Sequence, residues 1–271
     1  MLERILARKR DEIAEAKRRV PPEEIRARAG RSRVTRGFRE ALAAPGRVHL
    51  IAELKRKSPS KGMLRERFDP VRLAQELEEA GASALSVLTD ERFFGGSQDI
   101  LRDVRAFTEL PVLRKDFILE PYQVYESAAL GADAVLLIVR ALDAPALSAC
   151  LAASEELGMD ALVEIHAEEE LDAALAGGAR LIGINHRDLA TFELDPGLSE
   201  RLVGRIPAGC VVVAESGVRT SADVARMAGL GVHALLIGEA LMIAPDAGAR
   251  VRELFGALWS GPPPDAGRGA R

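Results

Sequence analysis

Eight short apolar, β-rich runs recur along this chain, separated by helical stretches, and that alternation restricts the fold more than any single motif does. The runs are Val48 to Lys55, Ala84 to Thr89, Pro111 to Phe117, Ala134 to Val139, Ala161 to His166, Leu181 to Asn185, Val211 to Glu215 and Ala234 to Gly238. Between them lie amphipathic segments such as Val71 to Ala80, Pro121 to Leu130, Glu168 to Ala176 and Ser221 to Ala228. Strands joined through helices pair in parallel, because a parallel neighbour requires a crossover. Eight such units in 271 residues predict an α/β fold, a closed (β/α)8 TIM barrel in preference to an open doubly wound sheet. Gly81-Ala82, Gly131-Ala132, Gly178-Ala179 and Gly231-Val232 read as helix C-caps feeding the next strand.

Residues 1–47 read as a helical extension that packs on the barrel, which spans 48–260. Leu2, Ile5, Leu6 and Ile13 recur at helical spacing, Pro21-Pro22-Glu23-Glu24 is a break followed by a new start, and Phe38 to Leu42 is a further short helical pattern. The tail 261–271, rich in Gly, Pro and Ala, is expected to be disordered.

A net charge of −4 with both signs interspersed offers no basic surface for nucleic acid. The longest apolar run, Ala134 to Val139, is far too short to span a bilayer. The N-terminus alternates Arg, Lys and Glu without an apolar stretch, so a signal or transit peptide is not expected and the chain reads as cytoplasmic. The two cysteines, Cys150 and Cys210, lack metal-ligand spacing, so neither a disulfide framework nor a zinc site is expected.

Strand side chains alternate faces, so Ile51, Glu53 and Lys55 point one way and Leu50, Ala52 and Leu54 the other. Charges on the inward face of a hydrophobic strand are costly unless paired or used, so Glu53 and Lys55 mark a site, with a structural ion pair as the alternative. The same parity turns Lys115, Phe117, Glu164, Asn185, Arg187 and Glu215 inward. All stand at the carboxyl ends of their runs, where a barrel of this type builds its active face. The loops after the last two runs, Ser216-Gly217-Val218 and Gly238-Glu239-Ala240, are candidates for a phosphate site, to which Ser58 and Ser60 add hydroxyl donors. Turn chemistry alone would also explain these glycines.

Motifs in order now make the comparison specific. They are Ile51-Ala52-Glu53-Leu54-Lys55-Arg56 with Ser58-Pro59-Ser60-Lys61-Gly62, then Ser86-Val87-Leu88-Thr89-Asp90 with Phe93-Phe94-Gly95-Gly96-Ser97. Leu113-Arg114-Lys115-Asp116-Phe117, Leu162-Val163-Glu164-Ile165-His166, Ile184-Asn185-His186-Arg187-Asp188-Leu189 and Ala214-Glu215-Ser216-Gly217 follow. Over nearly its whole length the chain resembles the indole-3-glycerol phosphate synthase family of tryptophan biosynthesis.

That resemblance implies a carboxy-lyase that closes the pyrrole ring of 1-(2-carboxyphenylamino)-1-deoxyribulose 5-phosphate, losing carbon dioxide and water, with no metal or organic cofactor. It implies Lys115 as the general acid at the substrate ketone and Glu164 as the general base in the dehydration. Lys55 would hold the departing carboxylate and serve as a second proton donor, while Glu53 and Asn185 orient the sugar hydroxyls and the lysines. Arg187, Phe93 and Phe117 would line the anthranilate side, and Ser58, Gly217, Gly238 and Glu239 would surround the phosphate. Ser60, Glu215 and Ser216 complete the substrate contacts.

The pKa of Lys115 is expected to fall through desolvation beside Lys55. Two departures from the family pattern stand out. His186, where Asn or Ser is usual, should point away from the mouth by strand parity, and Glu239 puts an acid beside the phosphate that fits there only if its side chain turns away and its backbone N–H does the binding. The expected partner is a phosphorylated small molecule; a monomer is expected, with at most weak association with pathway enzymes. Phosphoribosylanthranilate isomerase and the tryptophan synthase α-subunit are rival phosphate-binding barrels, but they rely on a cysteine with an aspartate, or on paired carboxylates, where this chain has central lysines. A non-catalytic sugar-phosphate-binding barrel is the alternative from another class.

Overall fold

A computed structural model describes residues 1–30, 34–189 and 191–259. The tail expected to be disordered lies outside the described residues. Eight parallel strands close into a barrel: β1 (His49–Leu54), β2 (Ala84–Leu88), β3 (Val112–Lys115), β4 (Ala134–Ile138), β5 (Asp160–Ile165), β6 (Leu181–Asn185), β7 (Val211–Glu215) and β8 (Ala234–Ile237). Each strand pairs with its sequence neighbours and β8 pairs with β1, so the sheet has no edge. The (β/α)8 expectation holds, and the strands fall within one to two residues of the runs that announced them.

Alternation along each strand separates two cores. Leu50, Ala52 and Leu54 of β1 face outward into the layer beneath the surrounding helices, together with residues such as Leu73, Leu77 and Val251. Ile51 faces inward with Ala84, Leu113, Leu136, Leu162, Leu181, Val213 and Leu236. The middle of the barrel interior is therefore a packed apolar plug, and Glu53, Lys115, Glu164, Asn185 and Glu215 come after it along the chain direction. Four of the surrounding helices start where an oxygen-bearing side chain, Asp69, Ser97, Asp143 or Asp246, accepts from a backbone N–H in the first turn. Thr220 and Asp223 form a reciprocal capping box.

Among the described residues three helices precede the barrel: α1 (Leu2–Arg19), α2 (Pro22–Ala29) and α3 (Phe38–Ala43). Pro22 takes the first helical position of α2, where its missing N–H costs nothing. Phe38 and Leu42 of α3 are fully buried against the starts of the strands, near Ala84, Val211 and Ala234. Burying two such side chains stabilises by about 1.5–3 kcal/mol each. Ile5 and Leu6 of α1 join the same cluster near Phe93, Phe94 and Phe117, close to the opposite end.

One element was not expected from the sequence. Lys57–Ser58 pairs antiparallel with Gly62–Met63, folding the first strand-to-helix loop into a small ribbon. Beyond it, Arg65 donates to the carbonyls of Met242 at 3.2 Å and Ala244 at 2.8 Å, fastening this loop to the one after β8.

Candidate active site

A cavity of about 370 Å³ opens at the carboxyl ends of the strands. Glu53, Lys55, Ser58, Ser60, Lys115, Phe117, Glu164, Asn185, Arg187, Glu215, Ser216, Gly217, Gly238 and Glu239 all line it. Residues named from well-separated places in the sequence thus share one concavity. Leu136, Ile138 and Leu236 give it an apolar floor.

Phe93 is the exception. The lining ring belongs to Phe94, whose centroid lies 6.1 Å from that of Phe117, and Phe93 packs beside the inner core. These residues sit in a short helix, Glu91–Phe94, started by the Asp90 carboxylate accepting from the Phe93 N–H at 2.7 Å. Strand parity stops at Leu88 and says nothing about which of two adjacent phenylalanines faces inward.

The electrostatic centre is Lys115. Its ammonium donates to Glu164 Oε2 at 2.6 Å and to Glu215 Oε2 at 2.7 Å, with only 11% of its side chain exposed. Burial would lower its pKa, but Glu164, Glu215 and Glu53 more than reverse this and hold it above the ordinary lysine value. The expected fall beside Lys55 is therefore corrected. Lys55 instead pairs with Glu53 at 2.5 Å, and the immediate neighbours of Lys115 are anions.

The two carboxylates around Lys115 diverge. Burial would raise Glu164, yet Lys115 and His166 overcome it and hold Glu164 well below the usual carboxylate range. Burial would lower His166, but Glu164, whose Oε1 lies 3.0 Å from His166 Nε2, together with Glu170 outweighs it and lifts the imidazole to about 9. For Glu215, burial and the Glu164 charge together outweigh Lys115 and push it up to about 8. The cluster thus sets the Lys115 ammonium between one carboxyl group that favours its charged form and one that burial and the neighbouring charge shift toward its protonated form.

Two glycines make room for these side chains. A Cβ on Gly238 would come within 3.0 Å of Glu53 Oε2, and one on Gly183 within 3.0 Å of Glu215 Oε1. Both lie at inward positions by parity. At Gly183 the sequence carries no signal but a missing side chain, and only the closed barrel shows the Glu215 carboxylate that occupies its space.

At the rim after β7, Ser216 has a left-handed backbone, φ 66°, followed by Gly217 at φ 81°. Left-handed geometry in a residue other than glycine costs roughly 1–3 kcal/mol, and such strain gathers at ligand sites. Asn185 Oδ1 accepts from the Arg187 N–H at 3.0 Å, fixing the start of the loop that carries Arg187. Glu239 is among the residues lining the cavity, and its carboxylate lies 3.6 Å from the Arg187 guanidinium. His186 does point away, its ring nitrogens 2.7 Å from Ser199 Oγ and 3.1 Å from the Ser216 carbonyl. Among the described residues no group of three or more His, Cys, Asp or Glu is arranged to hold a metal ion.

Solved structures share this architecture at low identity. The 3-hexulose-6-phosphate synthase of Salmonella typhimurium superposes with a TM-score of 0.62 at 16% identity, covering 78% of this chain and 98% of that one. KGPDC from Streptococcus mutans gives 0.60 at 14%, covering 78% and 97%. At such identity the likeness concerns the fold alone. Sequence relatives carry more. Indole-3-glycerol phosphate synthase of Carboxydothermus hydrogenoformans is 47% identical over 261 residues, 94% of this chain and 99% of that protein. The Roseiflexus sp. protein of the same name is 48% identical over 264 residues, 94% of this chain and 98% of its own. The family model for indole-3-glycerol phosphate synthase matches residues 2–254, from the first turn of α1 to the last helix behind the cavity, so this chain belongs to the indole-3-glycerol phosphate synthase family.

Proposed function

We propose that the protein converts 1-(2-carboxyphenylamino)-1-deoxyribulose 5-phosphate to indole-3-glycerol phosphate, releasing carbon dioxide and water. The observation that carries this reading is the Lys115 ammonium held between Glu164 and Glu215 at the mouth of the cavity, in a chain of this family.

In this mechanism the anthranilate carbon bearing the carboxylate attacks the ketone carbon, and Lys115 transfers a proton to the ketone oxygen. A lysine of raised pKa is suited to this step. It is charged before substrate arrives, and the alkoxide that develops is far more basic than any amine. Glu215, 2.7 Å away and shifted by burial toward its protonated form, can return a proton to the neutral amine. Expulsion of carbon dioxide restores the aromatic ring, and that recovery makes the step favourable once the reacting carbons are held together. Loss of the new hydroxyl as water then needs a proton delivered to the oxygen and one removed from the adjacent ring carbon. Glu164, kept ionised by Lys115 and His166, is the base, and Lys55 is the second acid. Lys55 also holds the departing carboxylate, and Glu53 and Asn185 orient the lysines and the sugar hydroxyls.

Phe94 and Phe117, with Arg187, form the anthranilate wall. Phosphate is held by Ser58 and the backbone N–H groups of Gly217, Gly238 and Glu239, with Ser60 and Ser216 beside it. The reading includes a monomer acting in the cytoplasm without a cofactor. Two free cysteines agree with a reducing compartment, and no helix among the described residues is long and apolar enough to cross a membrane.

The test is to mix purified protein with the carboxyphenylamino-deoxyribulose phosphate and follow indole fluorescence and carbon dioxide together. Equal amounts of both products are expected. Tight binding without turnover would support a non-catalytic sugar-phosphate-binding barrel instead.

A further inference from the structure

On the buried face of α1, Ile5, Leu6 and Ile13 are interrupted by a charge: Lys9 lies on the same stripe and is only 5% exposed. A lysine four residues from two buried isoleucines, on a helix otherwise free to present its charges to water, needs buried anions to face. Lys9 Nζ lies 2.8 Å from Asp116 Oδ1 and 3.2 Å from Asp90 Oδ2, both carboxylates being almost fully buried, with Glu12 on its own helix at 2.8 Å.

Those aspartates begin the loops that carry the reactive groups. Asp116 sits between Lys115 and Phe117, and its Oδ1 also accepts from the Phe117 N–H at 2.8 Å. Its Oδ2 accepts from Thr89 at 2.6 Å and Arg114 at 3.0 Å. Asp90 starts the helix that ends in Phe94, accepting from the Phe93 N–H. One ammonium therefore joins the N-terminal extension to the loop after β2 and the loop after β3, hence to both rings of the aromatic wall and to the backbone next to Lys115.

We propose that Lys9 is a positioning residue: through Asp116 and Asp90 it sets the relative placement of Lys115, Phe117 and Phe94, so that a helix outside the barrel governs the geometry of the site. It touches no substrate. The inference rests on the reading of Lys115 and the aromatic wall given above.

Two variants separate positioning from plain stabilisation. Lys9→Met keeps the length and apolar stem of the side chain but leaves two buried carboxylates without their shared cation. Lys9→Met with Asp90→Asn removes one negative charge as well, while Asn still caps the helix that carries Phe94. Misplacing a reacting group by about 1 Å costs up to about 10²-fold, so kcat/KM should fall by about 10- to 100-fold in Lys9→Met, with kcat and KM both affected. Thermal stability should recover in the double variant while turnover does not. Turnover that recovers along with stability, or that is normal in folded Lys9→Met, would overturn the proposal. Lys115→Met assayed in parallel keeps the two ideas apart. If it loses turnover while Lys9→Met does not, only the positioning role fails; if it keeps turnover, the reading beneath fails. Fluorescence of the single tryptophan, Trp259, packed on Phe255 and Arg47 away from α1, checks that the barrel of each variant is folded.

Discussion

Glu53 fills the space that a side chain on Gly238 would need, although one stands on the first strand of the chain and the other directly after the last. Closure of the barrel makes them neighbours, and the Glu53–Lys55 pair depends on the absence of a Cβ there. Gly238→Ala must displace the Glu53 carboxylate and, with it, Lys55. A loss of about 10²-fold in kcat/KM is expected, comparable with a misplacement of about 1 Å. Circular dichroism should report an intact barrel. Unchanged kinetics in Gly238→Ala would show that Glu53 has room to spare.

The carboxyl of Glu215, pushed up to about 8, gives a pH signature. Its ordinary value is 4.5, so between about 4.5 and 8 the folded chain binds more protons at this group than the unfolded chain does. Stability from this source is fully present below 4.5 and declines as pH rises toward 8. Glu215→Gln mimics the protonated form and removes that contribution. Melting temperature measured from pH 5 to 9 should fall less steeply in the variant than in the parent. Parallel curves would place the Glu215 pKa near its ordinary value.

The aromatic wall gives a paired comparison of neighbours. Phe94→Ala should raise KM by about tenfold, equivalent to about 1.4 kcal/mol of lost contact with the substrate ring. Phe93→Ala should cost stability but leave KM within about twofold, since its ring faces the core. The reverse pattern would mean that the short helix Glu91–Phe94 turns its other side to the substrate.

Glu239 lines the cavity 3.6 Å from Arg187, so it competes with a bound anion for that cation. Glu239→Gln should lower KM or leave it unchanged, because the backbone N–H at this position is retained. A rise in KM beyond about tenfold would show the carboxylate itself holding substrate.

Period-two alternation makes the barrel and most of the cavity lining legible in the sequence. It applies wherever backbone is extended, so it separated Ile51 and Glu53 from Leu50 and Ala52 and turned Lys115, Glu164, Asn185 and Glu215 to one interior. Its reach ends with the strand, so it cannot distinguish Phe93, which the family resemblance implies, from Phe94, the ring that lines the cavity. Parity also says nothing about partners across the barrel, which the stagger of the strands decides. Lys115 therefore seemed a neighbour of Lys55 when its contacts are Glu164 and Glu215, and its pKa moves up instead of down. Gly183 and Lys9 were missed for complementary reasons: one signals by lacking a side chain, the other by a charge on an otherwise apolar stripe.

The convergence of Lys115 with Glu164 and Glu215 is tested most directly by single-turnover formation of indole fluorescence in Lys115→Met, with the carboxyphenylamino-deoxyribulose phosphate saturating. General acid catalysis is worth about 10²- to 10⁴-fold, and a loss in that range is expected from a variant that still binds the substrate. Formation of product at a rate near that of the unmodified protein would contradict the account.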